Sequence, residues 1–351
     1  MEVNLLNRRA FVAAMATIPA VRFSPGQEPN FSAGVKVVNV FATVRDKKGE
    51  MVKGLQKEDF TVLEDGRPQK ISYFAQQSDL PLTLGLLVDT SGSERRMIPT
   101  EQTASYKFLE QVLRPDRDKA FLIHFDHDVE LLQDLTASRE QLEKALDQLQ
   151  AAQSNRGSGG NQGGGGGYGG GGMGRHGGYG GGGGPRRAHG GTAFYDGIYL
   201  AANEILSKQT GRKAMILLTD GEDNGSKVPL EEAVNSAQRA DSLAYAVRIA
   251  DEEIGSMVRG WNGPRGGGGM ERPDGKKILK QIAKETGGGY FEYGKKKSLE
   301  DIYAEIEDEL RNQYSLGYSS DHQGDDKGYR KIEVTVGKKG LIVQARDGYY
   351  A

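Results

Sequence analysis

Three segments of this chain, LTLGLLVD, KAFLIHFD and KAMILLTD, are apolar almost throughout, and each ends in an aspartate: Asp89, Asp126 and Asp220. A strand with one wet face alternates polar and apolar residues, so unbroken apolar runs need cover on both faces. A parallel sheet between two layers of helices supplies that cover. The stretches between the runs fit those layers. TEQTASYKFLEQVL, SREQLEKALDQL, TAFYDGIYLAANEIL, LEEAVNSAQRA, GKKILKQIAKETG and SLEDIYAEIEDELRNQY have helical spacing, while VELL, LAYAVRI and GYFEY read as further strands. The expected fold is α/β, a doubly wound, mainly parallel, Rossmann-like sheet over residues 80–313. Ligands of such sheets bind beyond the carboxyl ends of the strands, which gathers the three aspartates along one functional rim.

The two ends of the chain have a different texture. Within residues 35–79, VKVVNVFATVRDKKGEMVKGLQKEDFTVLEDGRPQKISYF alternates apolar and polar residues between DKKG and EDG turns. Within 314–351, YRKIEVTVGKKGLIVQARDGYYA gives two alternating strands around GKKG. Neither piece is large enough for a stable sheet alone. The N- and C-terminal segments are therefore expected to pack together as one small β subdomain.

Residues 23–34 read as a linker, and residues 1–22 as an export signal. In NRRAFVAAMATIPAV, Arg8 and Arg9 precede Phe11 and a short apolar run, the form of a bacterial twin-arginine signal. A good Ala-x-Ala cleavage site is missing, so the segment can also remain as a membrane anchor. The expected location is periplasmic or cell-surface. Residues 157–191 are mostly glycine. Such a tract cannot bury enough apolar surface to offset its ordering entropy, and a disordered insertion is expected. Its Arg, Tyr and Gly mixture resembles RNA-associated tracts. Export and a net charge of −2 argue against a nucleic-acid partner.

The chain of 351 residues has no cysteine, so its metal-binding chemistry is confined to oxygen and imidazole. In LGLLVDTSGSERR, Asp89, Ser91 and Ser93 stand at alternate positions on the loop leaving a central strand, where their oxygens can converge. Magnesium takes six oxygens at about 2.0–2.1 Å, and three short side chains supply half. Thr192 in GGTAFYDG and Asp220 in LLTDGEDNGS, expected on neighbouring loops, are candidates for the rest. Asp89 alone would read as a turn or cap residue; the alternate serines and the two downstream motifs favour a metal. Zinc on His124 and His127 is disfavoured, since only five histidines exist and none has zincin spacing on a helix. Asp126 reads as a structural turn residue.

The set DTSGS, GGTAFYDGI and LLTDGEDN, in that order, resembles the von Willebrand factor type A domain with its metal-ion-dependent adhesion site. More narrowly, VRDKKGEMVKGLQKEDFTVLEDGRPQKI, FDHDVELLQDLT, ELRNQYSLGY and ARDGYY look like the bacterial VWFA-related family. The resemblance implies that Ser91, Ser93 and Thr192 are hydroxyl ligands. It implies that Asp89 and Asp220 hold a divalent cation (magnesium, or manganese or calcium) directly or through water. It also implies a protein partner whose carboxylate fills the last coordination position. Glu94 departs from the family pattern. It reads as a first-turn acid favoured by the helix dipole, or else as a carboxylate that competes with the outside ligand. An enzyme reading, a magnesium-dependent phosphoryl-transfer hydrolase of the haloacid dehalogenase type, needs an acid two residues after the nucleophile. Ser91 stands there, so a non-catalytic binding module is expected.

Overall fold

The computed structural model describes residues 37–76, 80–92, 94, 96–157, 191–249, 274–322 and 328–350. The expected export signal and linker, Ser93 and the glycine tract over 158–190 lie outside the described residues. The chain opens with β1 (Val37–Arg45), β2 (Phe60–Glu64), β3 (Arg67–Gln69) and β4 (Ile71–Gln76). The α/β layer follows as β5 (Leu82–Asp89), α1 (Ile98–Val112), β6 (Lys119–Phe125), β7 (Val129–Thr136), α2 (Arg139–Gly157) and α3 (Phe194–Leu200). It continues with β8 (Arg212–Thr219), α4 (Leu230–Arg239), β9 (Ser242–Arg248), α5 (Gly275–Thr286), β10 (Tyr290–Glu292) and α6 (Leu299–Asn312). Last come β11 (Tyr314–Ser319), β12 (Tyr329–Val336), β13 (Ile342–Ala345) and β14 (Gly348–Tyr350).

The central sheet has six strands in the order β10-β9-β8-β5-β6-β7. Every pairing is parallel except that of β6 with the edge strand β7. All eight residues of β5 and of β8 are buried, as their apolar runs require. Alternate side chains feed two cores. Leu82, Leu84, Leu86 and Val88 pack with Phe108 of α1, Leu142 of α2 and Tyr303 of α6. On the other face Leu87, Phe121 and Leu217 pack with Phe194 of α3, Val234 of α4 and Ile282 of α5. Each such buried Leu, Val or Phe contributes about 1.5–3 kcal/mol relative to exposure. The doubly wound arrangement is thus the direct consequence of apolar strands flanked by amphipathic helices.

The two ends of the chain meet, as their alternating pattern suggests. β1 lies between β11 and β13, all antiparallel, with β4 beyond β11; β12 lies between β2 and β14, with β3 beyond β2. Val38, Val40, Val62, Tyr314, Tyr318 and Ile332 share one core. GKKG does not close a hairpin, however. β12 pairs with β2 through Ile332↔Glu64 and Val334↔Val62, while β13 pairs with β1 through Val343↔Val44. The two flanking strands thus pair with different strands of the N-terminal segment. Among the described residues, no helix is long and apolar enough to cross a membrane.

A candidate cation site at the carboxyl rim of the sheet

Asp89 ends β5, which runs between β8 and β6, and none of its surface reaches solvent. Its carboxylate is fixed from two sides. The Ser91 N–H donates to Oδ1 at 2.9 Å, and the hydroxyl of Thr219, the last residue of β8, donates to Oδ2 at 2.7 Å. Thr219 Oγ1 accepts in turn from the Gly221 N–H at 3.1 Å, so Asp89 joins the loops that leave two adjacent strands. Burial pushes the Asp89 carboxyl up to about 6; the Thr219 and Ser91 hydrogen bonds oppose the rise, and the neighbouring Asp220 adds to it. A buried carboxylate beside a second carboxylate is costly unless a positive charge or a proton compensates it.

Asp220 is half-buried and accepts from the Glu222 N–H at 2.8 Å, a local turn that holds its side chain at the rim. The next residue, Gly221, has φ +86°, and a Cβ there would lie 2.6 Å from the Gly275 carbonyl oxygen. Glycine is what allows this loop to bend over the start of α5. Thr192 arrives on its own segment. Its N–H donates to Asn224 Oδ1 at 2.6 Å, its carbonyl accepts from the Gly225 N–H at 3.0 Å, and the Ala193 N–H donates to the Asp126 carbonyl at 2.6 Å. Thr192 is therefore anchored between the end of β6 and the loop that Asp220 begins. Gly191 makes this possible, since a Cβ there would stand 2.9 Å from Asn224 Oδ1.

Of the five residues singled out from the sequence, Asp89, Ser91 and Asp220 form one hydrogen-bonded and electrostatic unit. Thr192 is tied by its backbone to the Asp220 loop, and Ser93 lies outside the described residues. The histidines are committed elsewhere. His124 pairs through Nδ1 with Thr90 Oγ1 at 3.0 Å and through Nε2 with Glu130 at 3.1 Å, and His127 Nδ1 donates to the Gly191 carbonyl at 2.6 Å. Asp126 is buried, and its carbonyl holds the Thr192 segment.

The donors fit a hard divalent cation: two carboxylates with the hydroxyls of Ser91 and Thr192, all oxygen. Among the described residues, no three or more His, Asp or Glu side chains are grouped to hold a metal. A cation here depends on hydroxyl, water or external oxygens to complete its shell.

Three features differ from the sequence reading or were absent from it. Thr219 was missed, although a hydroxyl immediately before Asp220 at a strand end was visible in LLTD. Glu94 is not in the first turn of α1: the helix starts at Ile98, with Pro99 in its first turn, where a missing N–H costs nothing. Glu94 lies in the preceding turn, 1% exposed, its N–H donating to the Ser91 carbonyl at 3.1 Å. The first-turn acid is Glu101. It is 1% exposed, and neither carboxyl oxygen has a hydrogen-bond partner among the described residues. Burial pushes it well above the usual carboxylate range, and the Asp89 charge adds to this. An acid three residues after Ile98 and seven before Phe108, on the buried stripe of α1, was the signal available.

Residues 185–305 match the family model of the von Willebrand factor type A domain. No curated protein matches the chain. Among solved structures it is similar to a von Willebrand factor type A protein from Catenulispora acidiphila, at 11% identity and a TM-score of 0.45, covering 90% of this chain and 74% of that one. It is also similar to the manganese-loaded TRAP protein of Plasmodium vivax, at 12% identity, 83% and 99% coverage and a TM-score of 0.37. A third likeness is to proximal thread matrix protein 1 of the mussel byssus with a zinc-occupied MIDAS motif, at 15% identity, 72% and 50% coverage and a TM-score of 0.41. The residues that match the von Willebrand factor type A domain carry β8, β9 and β10 of the six-stranded sheet together with Thr192 and Asp220.

Proposed function

We propose that this protein is a divalent-cation-dependent protein-binding module of the adhesion type, without catalytic activity, and that it works outside the cytoplasm. Asp89, Ser91, Ser93, Thr192 and Asp220 are the groups assigned to the cation, with magnesium the first candidate and manganese or calcium the others. The observation that carries this reading is the Asp89 carboxyl, fully buried at the end of a central strand with the charge of Asp220 beside it.

A bound divalent cation would supply an electrophilic centre for the carboxylate of a partner protein. The chain's own residues do the rest. Thr219 and the Ser91 N–H fix the plane of the Asp89 carboxylate, so little ordering is left to be done when a cation arrives. Ser91 and Thr192 offer neutral oxygens and leave the net negative charge low. Few anionic ligands from the chain favour a further carboxylate from outside. Ser91, two residues after Asp89, cannot carry the proton transfer that a phosphoryl-transfer hydrolase needs there. Arg8 and Arg9 ahead of a short apolar run support export.

Calorimetric titration of the full-length protein with magnesium and with manganese tests the reading. Saturable binding is expected in the wild type and none in folded Asp89→Ala or Asp220→Ala. Equal affinity in all three would overturn it.

A further inference from the structure

Both backbone polar groups of Thr192 are spent on one dipeptide. Its N–H donates to Asn224 Oδ1 at 2.6 Å, and its carbonyl accepts from the Asn224 N–H at 3.2 Å and the Gly225 N–H at 3.0 Å. The two segments cross with no room for a side chain at either glycine. A Cβ on Gly191 would lie 2.9 Å from Gly225 Cα, and one on Gly225 would lie 3.1 Å from the Gly191 carbonyl carbon. Two further ties follow at the start of α3, where Ala193 has no side chain that could cap the helix. The Tyr195 N–H donates to Asp223 Oδ1 at 3.2 Å and the Asp196 N–H to Ser226 Oγ at 3.1 Å, so the loop after β8 caps α3 from outside. Asp196 returns the contact, accepting from the Lys227 and Val228 N–H groups at 2.9 and 3.0 Å.

These ties differ in what they hold. Asp223 and Ser226 hold the helix start, whereas the Asn224 side chain holds Thr192 itself. Asn224 is exposed, so water can replace its hydrogen bond and the fold loses little without it. A threonine is stiff at χ1, so pinning its backbone leaves few directions for its hydroxyl. We infer that Asn224 is a positioning residue of the cation site: by holding the Thr192 N–H it aims the Thr192 hydroxyl before an ion arrives and ties it to the loop that Asp220 begins. The inference rests on the cation-site reading above. Without the clamp the Thr192 segment spreads over other arrangements, and the apparent affinity falls by the fraction of molecules that keep the binding one.

The test uses the full-length wild type, Asn224→Ala, Asn224→Asp, Thr192→Val and the double variant that joins Asn224→Ala to Thr192→Val. Each is titrated with magnesium, melted in chelator and loaded with terbium, an oxygen-seeking ion whose luminescence lifetimes in water and heavy water count the waters it holds. Asn224→Ala is expected to bind magnesium about tenfold more weakly and to melt in chelator close to the wild type. Its terbium form is expected to hold about one more water, where the Thr192 hydroxyl has turned away. Asn224→Asp keeps the acceptor and should bring both readings back toward the wild type. The double variant should bind no worse than Thr192→Val alone, because Asn224 acts only through Thr192. Additive losses in the double variant overturn the proposal, as does Asn224→Asp binding as weakly as Asn224→Ala. A structural staple gives a lower melting temperature with wild-type affinity and hydration, and that result also overturns it. Asn224→Ser is measured beside Asn224→Ala, and failure of both to fold counts the same way. If the wild type binds neither magnesium nor terbium, the cation-site reading and this inference fall together. If Asp89→Ala loses binding while Asn224→Ala and Thr192→Val bind like the wild type, only the inference falls.

Discussion

Two buried carboxyl centres in this molecule are built on opposite plans. In the β subdomain Glu64 is fully buried and surrounded by donors. It accepts from the Tyr318 hydroxyl at 2.7 Å, the Tyr349 hydroxyl at 3.1 Å, the Ser320 hydroxyl and the Arg330 guanidinium at 3.3 Å. At the rim of the central sheet Asp89 accepts from Thr219 and Ser91 with the charge of Asp220 beside it, and in the first turn of α1 Glu101 has no donor among the described residues. Glu64 is completed by the chain and ties β2, β11, β12 and β14 together. Burial and the neighbouring Asp220 raise the Asp89 carboxyl, a rise that a positive charge would relieve. A buried acid with a full set of donors is part of the fold, whereas one without them is a candidate for binding.

The largest effect is expected from Glu64→Ala. It leaves Arg330, 8% exposed, without its carboxylate, and removal of one partner of a buried pair costs about 3–5 kcal/mol. Urea unfolding measures the loss, and cation affinity in the folded variant should not change. Loss of cation binding in folded Glu64→Ala would break the distinction between the two centres.

Thr219→Val is expected to act on the rim. It removes the donor to Asp89 and the acceptor for the Gly221 N–H while keeping the side-chain shape. The expected cost is about 1–3 kcal/mol in urea unfolding, together with weaker magnesium binding by calorimetry. Unchanged affinity would show that the Asp89 carboxylate does not need this support.

The smallest effect sharpens the contrast at the opposite rim of the same sheet. Asp118, 2% exposed, accepts from the Leu82 N–H at 2.8 Å and from the Arg114 N–H and guanidinium, each at 2.9 Å. Burial opposes its ionisation, but the Arg114 and backbone hydrogen bonds outweigh burial and hold the carboxyl below its usual range. A lowered folded pKa gives stability that is present above the unfolded value of about 3.9 and lost as pH falls through the folded value. Urea midpoints measured from pH 6 downward should therefore fall less steeply below about pH 4 in Asp118→Asn than in the wild type. Parallel curves would count against this assignment.

What the sequence disclosed follows from how far apart the interacting residues are. The apolar runs of β5, β6 and β8 and the helical spacing between them are local patterns, so the doubly wound sheet was readable. The Asp89–Ser91 contact spans two residues and was readable for the same reason. Thr219 meets Asp89 across 130 positions, and Tyr318 meets Glu64 across 254, so nothing near either acid announces its partner. GKKG misled because a turn sequence between alternating strands specifies the turn, whereas the N-terminal strands decide what each flanking strand pairs with. Glu94 misled because the start of α1 is set by Ile98 and Pro99 and not by the end of the serine loop.

The most direct measurement is the thermal unfolding of full-length wild type and Asp89→Asn, each in chelator and in magnesium. If the rim acids are completed by a cation, magnesium stabilises the wild type by RT ln(1 + [L]/Kd), about 2.7 kcal/mol at a hundred times Kd. Asp89→Asn should melt no lower than the wild type in chelator and should not respond to magnesium. An equal magnesium response in the two proteins, or Asp89→Asn unfolded in chelator while the wild type stays folded, would show that Asp89 belongs to the fold as Glu64 does.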